Sequence, residues 1–260
     1  MIHHTFSMLN GIGPKLEQKL WAQGVLTWQD FLDAGGLGFI SGRRKALYDE
    51  ALAVAAERLD ARDSVYFGET LKSREHWRLF EEFKGDVVCL DIETSGLSVD
   101  DGGYVTMVGL YDGQEYTAMV QGEGLSADAL MDKLSRYKLL VTFFGSAFDV
   151  PFLERALPGF ACNMPHFDLC FGFRHIGHKG GLKSIETHFG IEREPDLMGM
   201  DGYDAVILWK RAQRGDTAAL DKLIRYNRED TINLMSLAGT AYTGLRAASG
   251  IEEFLANAVA

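Results

Sequence analysis

VVCLDIE, residues 87–93, is a short apolar run ending in two acids, the pattern of a buried strand. Side chains alternate along a strand, so Asp91 and Glu93, at i and i+2, point to the same side. Two carboxylates held this way repel each other unless a cation sits between them. Hard oxygen ligands of this kind suit Mg²⁺ or Mn²⁺. Taken alone, the pair is equally a solvated strand end with two surface acids.

Downstream, YVTMVGLYD (104–112) and EYTAMV (115–120) flank Asp112–Gly113, which reads as a β-hairpin. A helix is expected over 126–137, a buried strand over LLVTFFG (139–145) and a helix over about 148–156. From 166 onward the chain reads as mainly helical, with a polar glycine-rich loop at 176–181 and a long helix over 217–241. The order β-β-β-α-β-α-α predicts an α/β fold, a mixed sheet flanked by helices. Upstream, residues 1–62 read as a small all-helical domain. Pro14 opens one helix, Thr27 with Asp30 caps a second, and Ser41 caps a third over 43–60 with Ala46, Leu47, Ala51, Val54 and Leu59 as its apolar stripe. Residues 63–85 form a connector, helical over roughly 73–83, whose Trp77, Phe80 and Phe83 are expected to dock on a neighbouring domain. The sheet domain is expected to span 86–245, and 246–260 to form a C-terminal tail.

Composition narrows the class. Of 260 residues 47% are hydrophobic, enough for a packed core, and no apolar run reaches the length that spans a bilayer. The opening MIHHTFSML lacks the charged-then-apolar layout of a secretory leader, so a soluble cytoplasmic protein without membrane attachment is expected. Cys89, Cys162 and Cys170 are odd in number and without CxxC spacing, which argues against a disulfide framework or a zinc site. The net charge of −11 argues against a general nucleic-acid coat. Residues 1–62 carry seven basic and seven acidic residues, so the whole deficit lies in the remainder.

Two further acids complete a pattern. Asp149 stands in SAFDVPFLE (146–154), just after a strand, and Asp230 closes YNRED (226–230), with Tyr226 four residues before it on the same helical face. DxE on a first strand, FD about 55 residues later and YxxxD on a late helix together resemble the DEDD 3′–5′ exonuclease superfamily, the DnaQ-like branch of the ribonuclease H fold. The stretches LDIETSGLS, VTFFGSAFDVPFLE, HFDLC, GGLKSIE and YNREDTINL bring the chain closest to a little-characterised bacterial family of ribonuclease H-like exonucleases. The resemblance covers about residues 64–242. It implies two Mg²⁺ or Mn²⁺ ions on Asp91, Glu93, Asp149 and Asp230, with Asp91 bridging both and Tyr226 positioning the attacking water. It further implies a single-stranded RNA or DNA 3′ end as substrate, meeting Thr94, Phe144, Phe148, His166 and Lys183. His166, Asp168 and Glu186 would support the site, or form a buried hydrogen-bonded network of their own; the basic stretch Arg174, His175, His178, Lys179 and Lys183 reads equally as a loop that grips phosphates and as a plain solvated loop. One departure stands out: the family usually reads TFNG where this chain reads TFFG, so Phe144 replaces an asparagine.

LNGIGPKLEQKL (9–20) resembles a helix-hairpin-helix, and GFISGRRKAL (38–47) a degenerate second one. Such glycine turns let backbone N–H groups approach a phosphate. Two other functions fit the same residues: a nucleic-acid-binding adaptor with a weakened site, marked by Phe144, and a structure-specific endonuclease of the same fold.

Overall fold

The computed structural model describes residues 1–259. Four helices come first: α1 (Pro14–Ala22), α2 (Trp28–Asp33), α3 (Gly42–Asp60) and α4 (Ser64–Thr70). Two 3₁₀ turns, Ser73–Leu79 and Lys84–Asp86, lead into β1 (Val87–Thr94), β2 (Val105–Tyr111) and β3 (Tyr116–Val120). Then follow α5 (Ala127–Leu134), β4 (Leu139–Thr142), α6 (Asp149–Ala156), β5 (His166–Asp168) and α7 (Leu169–His175). The rest is helical: α8 (Leu182–His188), α9 (Gly202–Ala212), α10 (Thr217–Ser249) and α11 (Ile251–Val259). The strands form one sheet in the order β3-β2-β1-β4-β5, antiparallel on the β2–β3 side of β1 and parallel on the other. No helix among the described residues is long and apolar enough to cross a membrane.

Strand alternation sorts β1 between two cores. Val87 and Cys89 pack with Leu234, Leu237 and Ala238 of α10, while Val88, Leu90 and Ile92 pack with Leu130 of α5 and Leu153 of α6. The parity of Val87 and Cys89 continues to Asp91 and Glu93, which therefore face α10. That helix begins at the Asp216 side chain, which accepts the Ala219 N–H at 3.0 Å, and ends at Gly250, φ +81°. It lies unusually close to the sheet at Gly109 of β2, opposite Asp91. A Cβ on Gly109 would stand 2.0 Å from Asn227 Oδ1 and 2.5 Å from Thr231 Oγ1.

The hairpin turn forms at Asp112–Gly113 as expected: Gly113 has φ +96°, and Asp112 Oδ1 accepts the N–H groups of Gln114 and Glu115. The Thr27–Asp30 capping box is also present. Four expectations need correction. HFD at 166–168 is a fifth strand, not helix; it is three residues long, and its neighbour β4 rather than its own composition makes it a strand. The strand expected over 139–145 stops at Thr142, whose hydroxyl accepts the Gly145 N–H and turns the chain. The segment at 73–79 is 3₁₀, not α-helix. On α3 the buried face is Lys45, Tyr48, Leu52, Ala55 and Leu59, leaving Leu47 and Val54 exposed. Lys45 pairs there with Asp49 at 2.7 Å and lies over the Phe31 ring, so its charge is answered and its stem is packed.

The N-terminal helices share one core with the sheet, running from Ile2 and Phe6 through Trp77 and Phe83 to Tyr242 and Ile251. A buried ion network bolts them on. Arg78, in the 3₁₀ turn, donates to Glu17 of α1 at 2.8 Å, to Glu75 at 2.7 Å and to the Thr5 hydroxyl at 3.2 Å. Glu17 also accepts the N–H groups of Phe6 and Ser7.

Candidate active site

β1 runs past the end of β4. Pairing between them stops at Cys89–Val141, while β1 continues to Thr94. Asp149, at the first turn of α6, fills the gap: its Oδ1 accepts the Ile92 N–H at 3.1 Å. α10 brings Asp230 across the face carrying Asp91 and Glu93. One oxygen from each of Asp91, Glu93 and Asp230 lies within 4.8 Å of the others, and no other such group of His, Cys, Asp or Glu occurs among the described residues. Glu93, Asp149 and Asp230 are buried. Asn227, three residues before Asp230, donates to Asp91 Oδ2 at 2.9 Å while its own oxygen accepts the Tyr116 hydroxyl at 2.8 Å.

The electrostatics of the cluster suit a cation. Burial, then the neighbouring Asp230, Asp149 and Glu93, holds the Asp91 carboxyl well above the usual carboxylate range. Burial followed by Asp230 pushes Glu93 up to about 8. Asp149 rises to about 7, chiefly through burial. Asp230 is raised by burial and partly restored by Arg193. Each group wants either a proton or a positive ion, and an all-oxygen donor set fits a hard divalent cation such as Mg²⁺ or Mn²⁺.

That arrangement predicts a pH signature. Glu93 has a folded pKa above its ordinary value of 4.5. The protein therefore holds a proton that the unfolded chain gives up. Stability is full below about 4.5 and is lost as pH rises toward 8. Glu93→Gln cannot lose that share. In EDTA, the stability advantage of Glu93→Gln over wild type should grow between pH 5 and pH 8 by at least about 1.4 kcal/mol, the worth of one pKa unit. A constant gap in urea melts at the two pH values would refute it.

Tyr226 is buried beside the cluster, where burial and the acids Asp230, Glu93 and Asp91 raise its phenol, so it stays protonated. Lys183 of α8 donates to its hydroxyl at 2.7 Å and also to the Met200 carbonyl. Thr94 and Phe148 line a cleft of about 430 Å³ together with Leu97 and Arg155. His166 lies elsewhere: its ring bonds the Thr142 hydroxyl at 2.7 Å, its backbone N–H donates to His76 Nδ1, and it lines a separate cavity of about 800 Å³ against the N-terminal helices. Burial lowers its pKa to about 4, so it is neutral. Asp168 anchors the loop after β4, accepting the N–H groups of Phe144 and Ser146 and the Ser146 hydroxyl. That anchoring sets where α6 begins, and hence Asp149.

Phe144 is 42% exposed, has φ +66° and rests against Phe171, ring centroids 6.0 Å apart. The left-handed region costs an ordinary side chain roughly 1–2 kcal/mol, and asparagine tolerates it best after glycine. Phe144→Asn should therefore be about 1 kcal/mol more stable than Phe144→Ala, which lacks the aromatic contact equally. Equal unfolding midpoints for the two variants would show that the backbone there relaxes.

Two residues of the site escaped the sequence reading. Asn227 had a signal, since i and i+3 on a helix share a face with Asp230. Arg193 had none: it sits in IEREPD, whose alternating charges read as a solvated loop, yet its side chain is only 7% exposed and joins Glu186 to Asp230.

Residues 88–242 match the family model of the RNase H superfamily. No curated protein matches the sequence. Among solved structures, one described as the apo form of a nuclease is 18% identical, with a TM-score of 0.48 over 71% of this chain and 82% of its own. The family B DNA polymerase of the archaeon Pyrobaculum calidifontis is 17% identical, with a TM-score of 0.49 over 59% of this chain and 24% of the polymerase. The family match spans more than half of the sequence, takes in β1 through most of α10, and includes Asp91, Glu93, Asp149 and Asp230: the chain belongs to the RNase H superfamily.

Proposed function

We propose that this chain is a metal-dependent nuclease that removes nucleotides from the 3′ end of single-stranded nucleic acid. The observation that carries the reading is the convergence of Asp91, Glu93 and Asp230 within 4.8 Å, with Asp149 bonded between them to the β1 backbone. Those four acids would hold the divalent cations. When bound, such cations neutralise charge developing on the reacting phosphate and favour ionisation of the attacking water.

The chain's own residues supply the rest. Asn227 fixes the orientation of Asp91. Tyr226, protonated and steadied by Lys183, offers an O–H to orient the water. The cleft lined by Thr94, Leu97 and Phe148, of which Thr94 follows Glu93 and Phe148 precedes Asp149 in the chain, would take the terminal sugar and base. Aromatic faces suit unpaired bases without regard to sequence. The glycine turn at Gly11–Gly13, which opens α1, is proposed as a backbone contact to phosphate.

The test is degradation of 3′- and 5′-labelled single-stranded RNA and DNA, with Mg²⁺, with Mn²⁺ and with EDTA. A ladder shortening from the 3′ end in metal alone is the expected result. Equal cleavage of a circular single strand would replace the exonuclease with an endonuclease, and binding without cleavage would leave an adaptor.

A further inference from the structure

Asp230 already carries a cation. Arg193, on the segment between α8 and α9, reaches into the cluster with a side chain that is more than nine-tenths buried. Its Nε and Nη2 donate to the two oxygens of Glu186, each at 2.7 Å, and Nη2 also pairs with Asp230 Oδ1. Glu186 is itself buried and accepts Asn233 Nδ2 at 2.9 Å, so the guanidinium is held from behind. Nη1 and Asp230 Oδ1 are both buried without a directed hydrogen bond, so Arg193 meets Asp230 as an ion pair. An arginine is charged at every accessible pH, and its planar fork keeps one geometry. A fixed positive charge therefore stands against one of the three acids that converge.

A divalent ion sharing Asp230 with that guanidinium would be repelled across a few ångströms of poorly solvated space, where Coulomb forces are weakly screened. Asp91 and Glu93 make no such ion pair among the described residues: Asp91 Oδ2 accepts instead the neutral Asn227 amide at 2.9 Å. We infer that Arg193 takes the place of one divalent cation at Asp230. With the guanidinium engaged, the cluster binds a single divalent ion, and a second enters only when Arg193 leaves Asp230. This rests on the reading that the acids hold divalent cations, but it makes no demand on which substrate is cut.

The experiment is an Mn²⁺ titration of the full chain, with free ion followed by electron paramagnetic resonance. The wild type should bind one ion, with any second at least about tenfold weaker. The double variant Glu186→Gln/Arg193→Met removes one acid and one base, so the formal charge of the cluster is unchanged, yet its second ion should bind about tenfold more tightly than in wild type. Arg193→Lys keeps the charge on a compact head that cannot span both carboxylates. It should fall between the two, and it serves as the reading if the double variant does not fold. Two ions of equal affinity in the wild type would overturn the inference. So would a second site unchanged or weakened in the folded variants, which would leave Arg193 as a strut positioning Asp230. If wild type bound no more Mn²⁺ than Asp91→Asn does, the metal reading of the whole cluster would fall with it.

Discussion

Asp91→Asn should abolish hydrolysis, by about three orders of magnitude or more, while raising the melting temperature of the metal-free protein. The two effects have one origin. Asp91 is the acid most crowded by other acids: Asp230, Asp149 and Glu93 all raise its pKa on top of burial. Its charge is useful only when a cation answers it. Loss of a ligand that organises positive charge at a reacting phosphate costs several kcal/mol of barrier, and each 1.36 kcal/mol is tenfold in rate. Without metal, the neutral amide relieves the repulsion at no loss of volume. A gain of 1 kcal/mol would move the midpoint of a chain this size by roughly 2–4 °C. Single-turnover cleavage in Mg²⁺ and differential scanning fluorimetry in EDTA check the two halves. An active mutant would refute the site, and a lower melting temperature would show that Asp91 is structural.

The second large effect is expected at a residue with no chemistry. Gly109→Ala places a methyl group 2.0 Å from Asn227 Oδ1 and 2.5 Å from Thr231 Oγ1, closer than atoms can stand. Either the sheet or α10 must move. Overpacking of this kind costs about 1–3 kcal/mol. The movement also has a direction, since α10 carries Asp230, and Asn227 is the donor to Asp91. Gly109→Ala should therefore lose at least about tenfold in rate in a protein that remains folded, because a misplacement of about 1 Å can cost a hundredfold. Shortening the nearer obstructing side chain in Gly109→Ala/Asn227→Ala should return part of the stability, Thr231 Oγ1 still standing in the way, and a double-mutant cycle in urea measures the coupling. Independent, additive losses would mean that the contact at Gly109 does not hold α10 in place.

Much of this was legible in the residues. Alternation along β1 put Asp91 and Glu93 on one side but left open which side, because Val88, Leu90 and Ile92 are core on one face as fully as Val87 and Cys89 are on the other. Asp112–Gly113 and the Thr27–Asp30 box are local signals, and local signals survive folding. What failed was set at long range. His166–Asp168 becomes a strand through the neighbouring β4, and α3 rotates its buried face to Lys45 and Tyr48 because Phe31 and Asn10 lie on that side. Arg193 reads as surface because Glu186, though only seven residues before it, sits on α8, and Asp230 comes from α10, so the fold alone brings the two carboxylates to it from both sides. Gly109 reads as a plain strand glycine until a helix more than a hundred residues later packs against it.

The shared core that joins the first residues to the last has a consequence in time. The amino group of Met1 lies 3.4 Å from the Tyr242 hydroxyl, and Trp21 packs on Phe254 at 6.1 Å between ring centroids. Translation adds roughly 5–20 residues each second, so Trp21 waits roughly 10–50 s for its partner to be made. Until β5 ends at Asp168, an apolar surface including Ile2, Phe6, Leu20 and Trp21 has no complete sheet to pack with, and for the rest of the interval it still lacks α11. The order of synthesis thus sets this chain a problem that its finished architecture conceals, and a nascent-chain chaperone would meet it first at the N-terminal helices.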